Sequence, residues 1–136
     1  MDRVILHNAL RTPDGTVIES RHRHDYVTHD DANGKRYMID GGLDYIRSSA
    51  HGDEEYLTVY DDASHNWARM VVTWGTRGKN GDEPLRYVPV AQMTTDHIQA
   101  CLETQDRMYP QVRKVMENEL EWRGNRFSEW GMGVTG

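Results

Sequence analysis

Three turn signals crowd into the first 42 residues: TPDG at 12–15, ANGK at 32–35 and DGG at 40–42. Nothing longer than a short strand fits between them. Proline presets φ in the first turn, and glycine accepts the positive φ that closes it. Asn33-Gly34 is the strongest short hairpin signal, because both central residues of the tight turn need positive φ. The flanking runs have strand composition: 4–6 (VIL) and 16–18 (TVI) around the first turn, 26–28 (YVT) and 36–39 (RYMI) around the second. Two successive small hairpins are expected up to Asp40, then a tight loop at 40–44.

The segment 48–54 (SSAHGDE) is polar and expected to be mobile. Strand composition returns at 56–60 (YLTVY), 68–74 (ARMVVTW) and 85–90 (LRYVPV), the last two joined by glycine-rich 75–82. Pro89 has no N–H for a ladder, so its strand is an edge or ends there. Helix is expected after Met93. Thr94 or Thr95 caps it, Asp96 complements the dipole in its first turn, and Ile98, Cys101 and Leu102 mark its apolar face. Tyr109-Pro110 interrupts, and a second helix carries Val112, Val115, Met116 and Leu120 until Gly124 stops it. The fold class is α+β: short antiparallel β-hairpins in a small ribbon-like sheet, followed by C-terminal helices.

One domain over 1–124 is expected, with a double hairpin at 1–47, further strands at 55–90 and helices at 94–123. Residues 125–136 form a flexible or interface tail. Its Phe127, Trp130, Met132 and Val134 favour a homo-oligomer.

The net charge of −6 argues against general nucleic-acid binding. Cys101 is the only cysteine, so no disulfide and no cysteine-based zinc knuckle can form within the chain. A reducing cytoplasm is the easier setting. No apolar stretch approaches the ~20 residues of a membrane helix, so no membrane partner is expected.

The densest chemistry lies at 20–31, SRHRHDYVTHDD. On an extended segment His22 and His24 share a face, and His29, Asp30 or Asp31 would add a ligand for zinc. The competing reading is a solvated polar segment, and Arg21 and Arg23 beside the histidines repel a cation. The glycine-rich 75–82 lacks the lysine-serine/threonine ending and following helix of a phosphate loop, so it reads as a hairpin loop. Arg77, Lys79 and Arg86 still offer charge to an anion. Cys101 falls on an apolar helix face, where inert thiols prevail.

Two groups of stretches carry a resemblance. Residues 18–20 (IES), 24–26 (HDY) and 40–47 (DGGLDYIR) resemble a group of small uncharacterised bacteriophage and prophage proteins in which IES…HDF leads to DGGxDYxR. Residues 74–90 and 93–98 resemble their WGTxGKxGxxPLxY and MxTxHI segments. The first group implies a small zinc ribbon, with CxxC before IES and C-x-C before DGG. Here those regions hold 7–10 (HNAL) and 29–31 (HDD), with no cysteine. Metal would then have to persist through His7, His29 and Asp31, and its loss is the simpler outcome.

The resemblance implies a non-catalytic phage accessory protein in the cytoplasm of an infected bacterium. It would bind and inhibit or sequester a host factor, either a protein or a signalling nucleotide. For a nucleotide, Trp74 or Tyr87 would stack on the base while Arg77, Lys79 and Arg86 hold phosphates. His24, Asp25, Asp44, Tyr45 and Arg47 are the partner-facing candidates of the DGG region. The alternative is a metal-dependent hydrolase or nuclease using His22, His24 and His29.

Overall fold

The structure is a computed structural model that describes residues 3–129, with side chains described through Gly124. The class is α+β: several small antiparallel sheets and three helices. The chain divides into two compact units, Met1–Ala63 and Ser64–Gly136. Among the described residues no helix is long and apolar enough to cross a membrane.

The first unit is built from eight short strands. They are β1 (Ile5–His7), β2 (Ala9–Arg11), β3 (Val17–Glu19), β4 (Val27–Asp30), β5 (Arg36–Asp40), β6 (Arg47–Ser48), β7 (Glu55–Tyr56) and β8 (Val59–Tyr60). Both expected turns close hairpins, with Leu10 opposite Ile18 across the first and His29 opposite Tyr37 across the second. The partner in the first hairpin differs from expectation. Residues 9–11 pair with β3, while β1 pairs with β8, Ile5 standing opposite Tyr60. The chain turns a corner at Asn8, so the apolar run at 4–6 belongs to another sheet. Sheet order is β3-β2-β7 and β4-β5-β6, and β3 packs on β4 and β5. Leu10, Ile18, Tyr37 and Ile39 form the buried core, with Val27 against it.

The segment 48–54, expected to be mobile, is tied down. Ser49 exchanges hydrogen bonds with the Met38 backbone, and the His51 ring bonds the Arg36 carbonyl at 2.8 Å. The Tyr37 hydroxyl and Lys35 Nζ both donate to Asp53, at 3.0 and 2.9 Å. Lys35 holds the Asp53 carboxyl below its ordinary range, and burial pushes the Tyr37 hydroxyl up.

The second unit opens with α1 (His65–Val71), then β9 (Thr73–Thr76), β10 (Arg86–Pro89) and a 3-10 turn at Val90–Gln92. Then come α2 (Thr95–Thr104) and α3 (Pro110–Glu129). The strand expected at 68–74 is a correction. Its first part is helix, because Ala68 is buried and Arg69 is called inward by a carboxylate on α3. The β-branched run 71–73 becomes strand only at Thr73. Gly124 does not stop α3, whose backbone runs on to Glu129; a mid-helix glycine costs only ~1 kcal/mol. The tail residues Phe127, Trp130, Met132 and Val134 lie outside the described side chains.

That carboxylate is Glu119, fully buried. His65 and Arg69 of α1 donate to it at 2.9 Å and at 2.7 and 2.8 Å, and Arg123 donates from one turn along α3 at 2.7 Å. Arg69 also lies over the Trp122 ring, 4.0 Å from its centroid. Burial pushes the Glu119 carboxyl up, but hydrogen bonds from Arg69, His65 and Arg123 together pull it down to about 2. Arg123 continues to Thr95 Oγ1 and the Met93 carbonyl, both at 2.8 Å. One buried charge thus ties α1 to α3 and both to the start of α2.

All four tryptophans (67, 74, 122 and 130) lie in the second unit, so their fluorescence reports on it alone. The Glu119 carboxyl lies below its ordinary 4.5. Its stabilisation is complete above that value and drains away as pH falls toward about 2. Urea unfolding followed by tryptophan is expected to lose roughly 3 kcal/mol across that window. Glu119→Gln should cost about 3–5 kcal/mol at neutral pH and flatten the acid dependence. An equally steep dependence in the variant would remove Glu119 as its source.

Candidate functional site

The polar cluster of the first unit is a structural clasp. Asn8 is fully buried at the corner between β1 and β2. Its side-chain amide donates to the carbonyls of Asp40, Gly42 and Tyr45 at 3.0, 2.9 and 3.3 Å. Ser20 Oγ accepts from Gly42 N at 2.9 Å and donates to the Asp25 carbonyl at 2.6 Å, while Asp25 Oδ2 accepts from Arg21 N. Asp40 accepts from Gly41 N and from Arg47 Nη2, each at 2.9 Å. The IES, HDY and DGG stretches are therefore three sides of one knot. Asp25 is half-buried in it, Arg47 reaches Asp40 from the surface, and the exposed Asp44 and Tyr45 turn the loop through backbone bonds to Gly41.

His22 and His24 were expected on an extended segment sharing a face. They lie instead in a turn, where the His22 carbonyl accepts from Asp25 N and the His24 carbonyl from Tyr26 N. His7 pairs with Glu19 at 3.4 Å, and His29 with Asp14 at 2.8 Å. Thr12, then His29, hold the Asp14 carboxyl far below its ordinary range. Asp31 accepts from Asn33 N and Lys35 N, closing its own turn. Among the described residues no three His, Cys, Asp or Glu side chains converge as metal ligands.

The second unit holds a cleft of about 720 Å³ between the β9–β10 ribbon and α2. Opposed residues of an antiparallel pair share a face, so Arg86 and Thr76 stand together, as do Val88 and Trp74 two pairs along on the same face. Arg86, Thr76 and Val88 line the cleft with Gly78 and Lys79 of the connecting loop. The opposite wall is the start of α2. Thr94 caps that helix by accepting from His97 N at 3.1 Å, and Asp96 and His97 line the cleft with Met93 and Ala100 below.

The sequence grouping of Trp74, Arg77, Lys79, Arg86 and Tyr87 is thereby divided. Lys79 and Arg86 come together. Tyr87 lies on the other face of the ribbon over Gly75, where an added Cβ would meet its ring at 3.1 Å. Arg77 donates to the Glu83 carbonyl at 3.3 Å within its own loop. Asp96 and His97 were visible in the sequence only as helix-start residues. Only the tertiary placement of α2, packed on α3, makes them a wall of the cleft. No ion pair is formed by Lys79 or Arg86 among the described residues, so both charges stay available to a ligand.

Gly42 has φ +57°, and a Cβ there would fall inside the His22 backbone. Gly34 has φ +80° with open space around it. Gly42→Ala is expected to cost at least ~2 kcal/mol, against ~1 kcal/mol for Gly34→Ala. Amide hydrogen exchange in β4 and β5 reads both, and equal losses would contradict the clasp.

Comparison with known protein families, curated proteins and solved structures finds no match to this chain.

Proposed function

We propose that this chain is a non-catalytic phage accessory protein that captures a small phosphate-bearing ligand of its bacterial host, of the nucleotide class, and so sequesters it. The observation that carries the reading is the cleft of the second unit. Its volume of about 720 Å³ falls within the ~300–1,000 Å³ of small-molecule sites. Lys79 and Arg86 stand on one wall without ion-pair partners among the described residues. Val88, Met93 and Ala100 supply the apolar surface a base or sugar packs against.

Arginine offers phosphate a planar fork of donors, and lysine a mobile point charge. Both act from a chain of net charge −6. The attraction is therefore local to this cleft and suits a small anion better than a nucleic-acid backbone. The stretches 74–90 and 93–98, which carry the second phage resemblance, both contribute residues to the lining of this cleft.

Calorimetric titration with nucleoside diphosphates and with pyrophosphate tests the reading. The double variant Lys79→Ala/Arg86→Ala is expected to weaken binding at least tenfold, while Arg77→Ala, turned into its own loop, stays within twofold. Absence of binding by the unaltered protein, or equal losses in the two variants, would reject the site.

A further inference from the structure

The cleft is not uniformly cationic. Lys79 and Arg86 face it from the ribbon, but Asp96 faces it from the first turn of α2, beside His97. A carboxylate in the first turn complements the helix dipole, and that accounts for Asp96 as a helix residue. It does not account for the effect of the same charge on a ligand. A ligand that is anionic all round, such as free phosphate or pyrophosphate, is drawn by the ribbon wall and repelled by the helix wall. A ligand with phosphate at one end and hydrogen-bond donors at the other satisfies both.

From this two-signed lining we infer that Asp96 is a specificity-determining residue. It accepts hydrogen bonds from the hydroxyl or amino groups of a nucleoside whose phosphates lie against Lys79 and Arg86, and it rejects free polyphosphate. The inference rests on the phosphate reading of the cleft and deepens it by naming which phosphates are admitted. An ionised carboxylate only accepts hydrogen bonds, so the group it faces must donate. Sugar hydroxyls and the exocyclic amines of bases are such donors. Met93 and Ala100 contribute apolar surface to the same lining. Discrimination of this kind needs an unfavourable contact with the wrong ligand as well as a favourable one with the right ligand, and Asp96 supplies both.

The test is a selectivity ratio. Affinities for ADP, GDP, CDP and UDP and for pyrophosphate are measured on the full chain, on Asp96→Asn, and on Lys79→Ala/Arg86→Ala. The unaltered protein should bind at least one diphosphate nucleoside tenfold or more tightly than pyrophosphate. Asp96→Asn should bring the ratio to within about twofold, weakening the nucleotide and strengthening pyrophosphate together. The double cation variant should lose both ligands.

A merely structural Asp96 would lower thermal stability and leave the ratio where it was, and that result overturns the inference while the phosphate site stands. Preference for pyrophosphate in the unaltered protein overturns it equally. Failure of the unaltered protein to bind any of these probes removes the phosphate reading, and the role of Asp96 with it.

Discussion

The second unit depends on one buried negative charge. An ionised carboxylate taken out of water is costly unless donors surround it, and Glu119 is held by two guanidinium groups and an imidazole from two helices. This need sets the packing. It draws Arg69 inward, turning part of a strand-like sequence into α1, and holds α1 against α3. Arg123 carries the constraint onward, because its remaining donors reach Thr95, Met93 and Val90. Those contacts place the first turn of α2, hence Asp96 and His97 on one wall of the cleft. The geometry of a surface site thus traces back to a charge that never meets solvent.

The first unit solves a similar problem with neutral groups. Asn8 gathers three carbonyls of the 40–45 loop, and Ser20 links that loop to the turn at 22–25. The glycines are required where backbone meets backbone: a side chain at Gly42 would displace His22. The resemblance implied cysteines and a metal near 7–10. In this chain a side-chain amide from that stretch joins the corner to the loop. Of the histidines that made SRHRHDYVTHDD look like a metal site, His22 and His24 lie in a turn that their backbone carbonyls close, and His29 pairs with Asp14.

What was legible in the sequence follows the range of the forces involved. Turns at 12–15 and 32–35, the Thr94 cap and the start of α3 at Pro110 depend on a few neighbouring residues, and each was readable. The partner of β1 and the helix at 65–71 depend on residues some fifty positions away, and neither was. The cleft shows both cases. Lys79 and Arg86 stood out as free cations on a glycine-rich ribbon. Strand alternation separates Tyr87 from them, and Asp96 joins them only through tertiary packing. Asn8 gave no signal, because a single asparagine beside a short strand looks like any other polar residue.

The division at Ala63 gives the order of synthesis a meaning. Every strand of the first unit finds its partner within that unit, and β1 waits longest, since Ile5 pairs only with Tyr60. Chains emerge from the ribosome at ~5–20 residues per second, and amino-terminal units fold first. The Asn8 corner and its loop can thus close before Glu119 has been translated. Until Tyr60 has emerged β1 is an open edge, exposed for a time set by translation speed rather than by the stability of the finished fold.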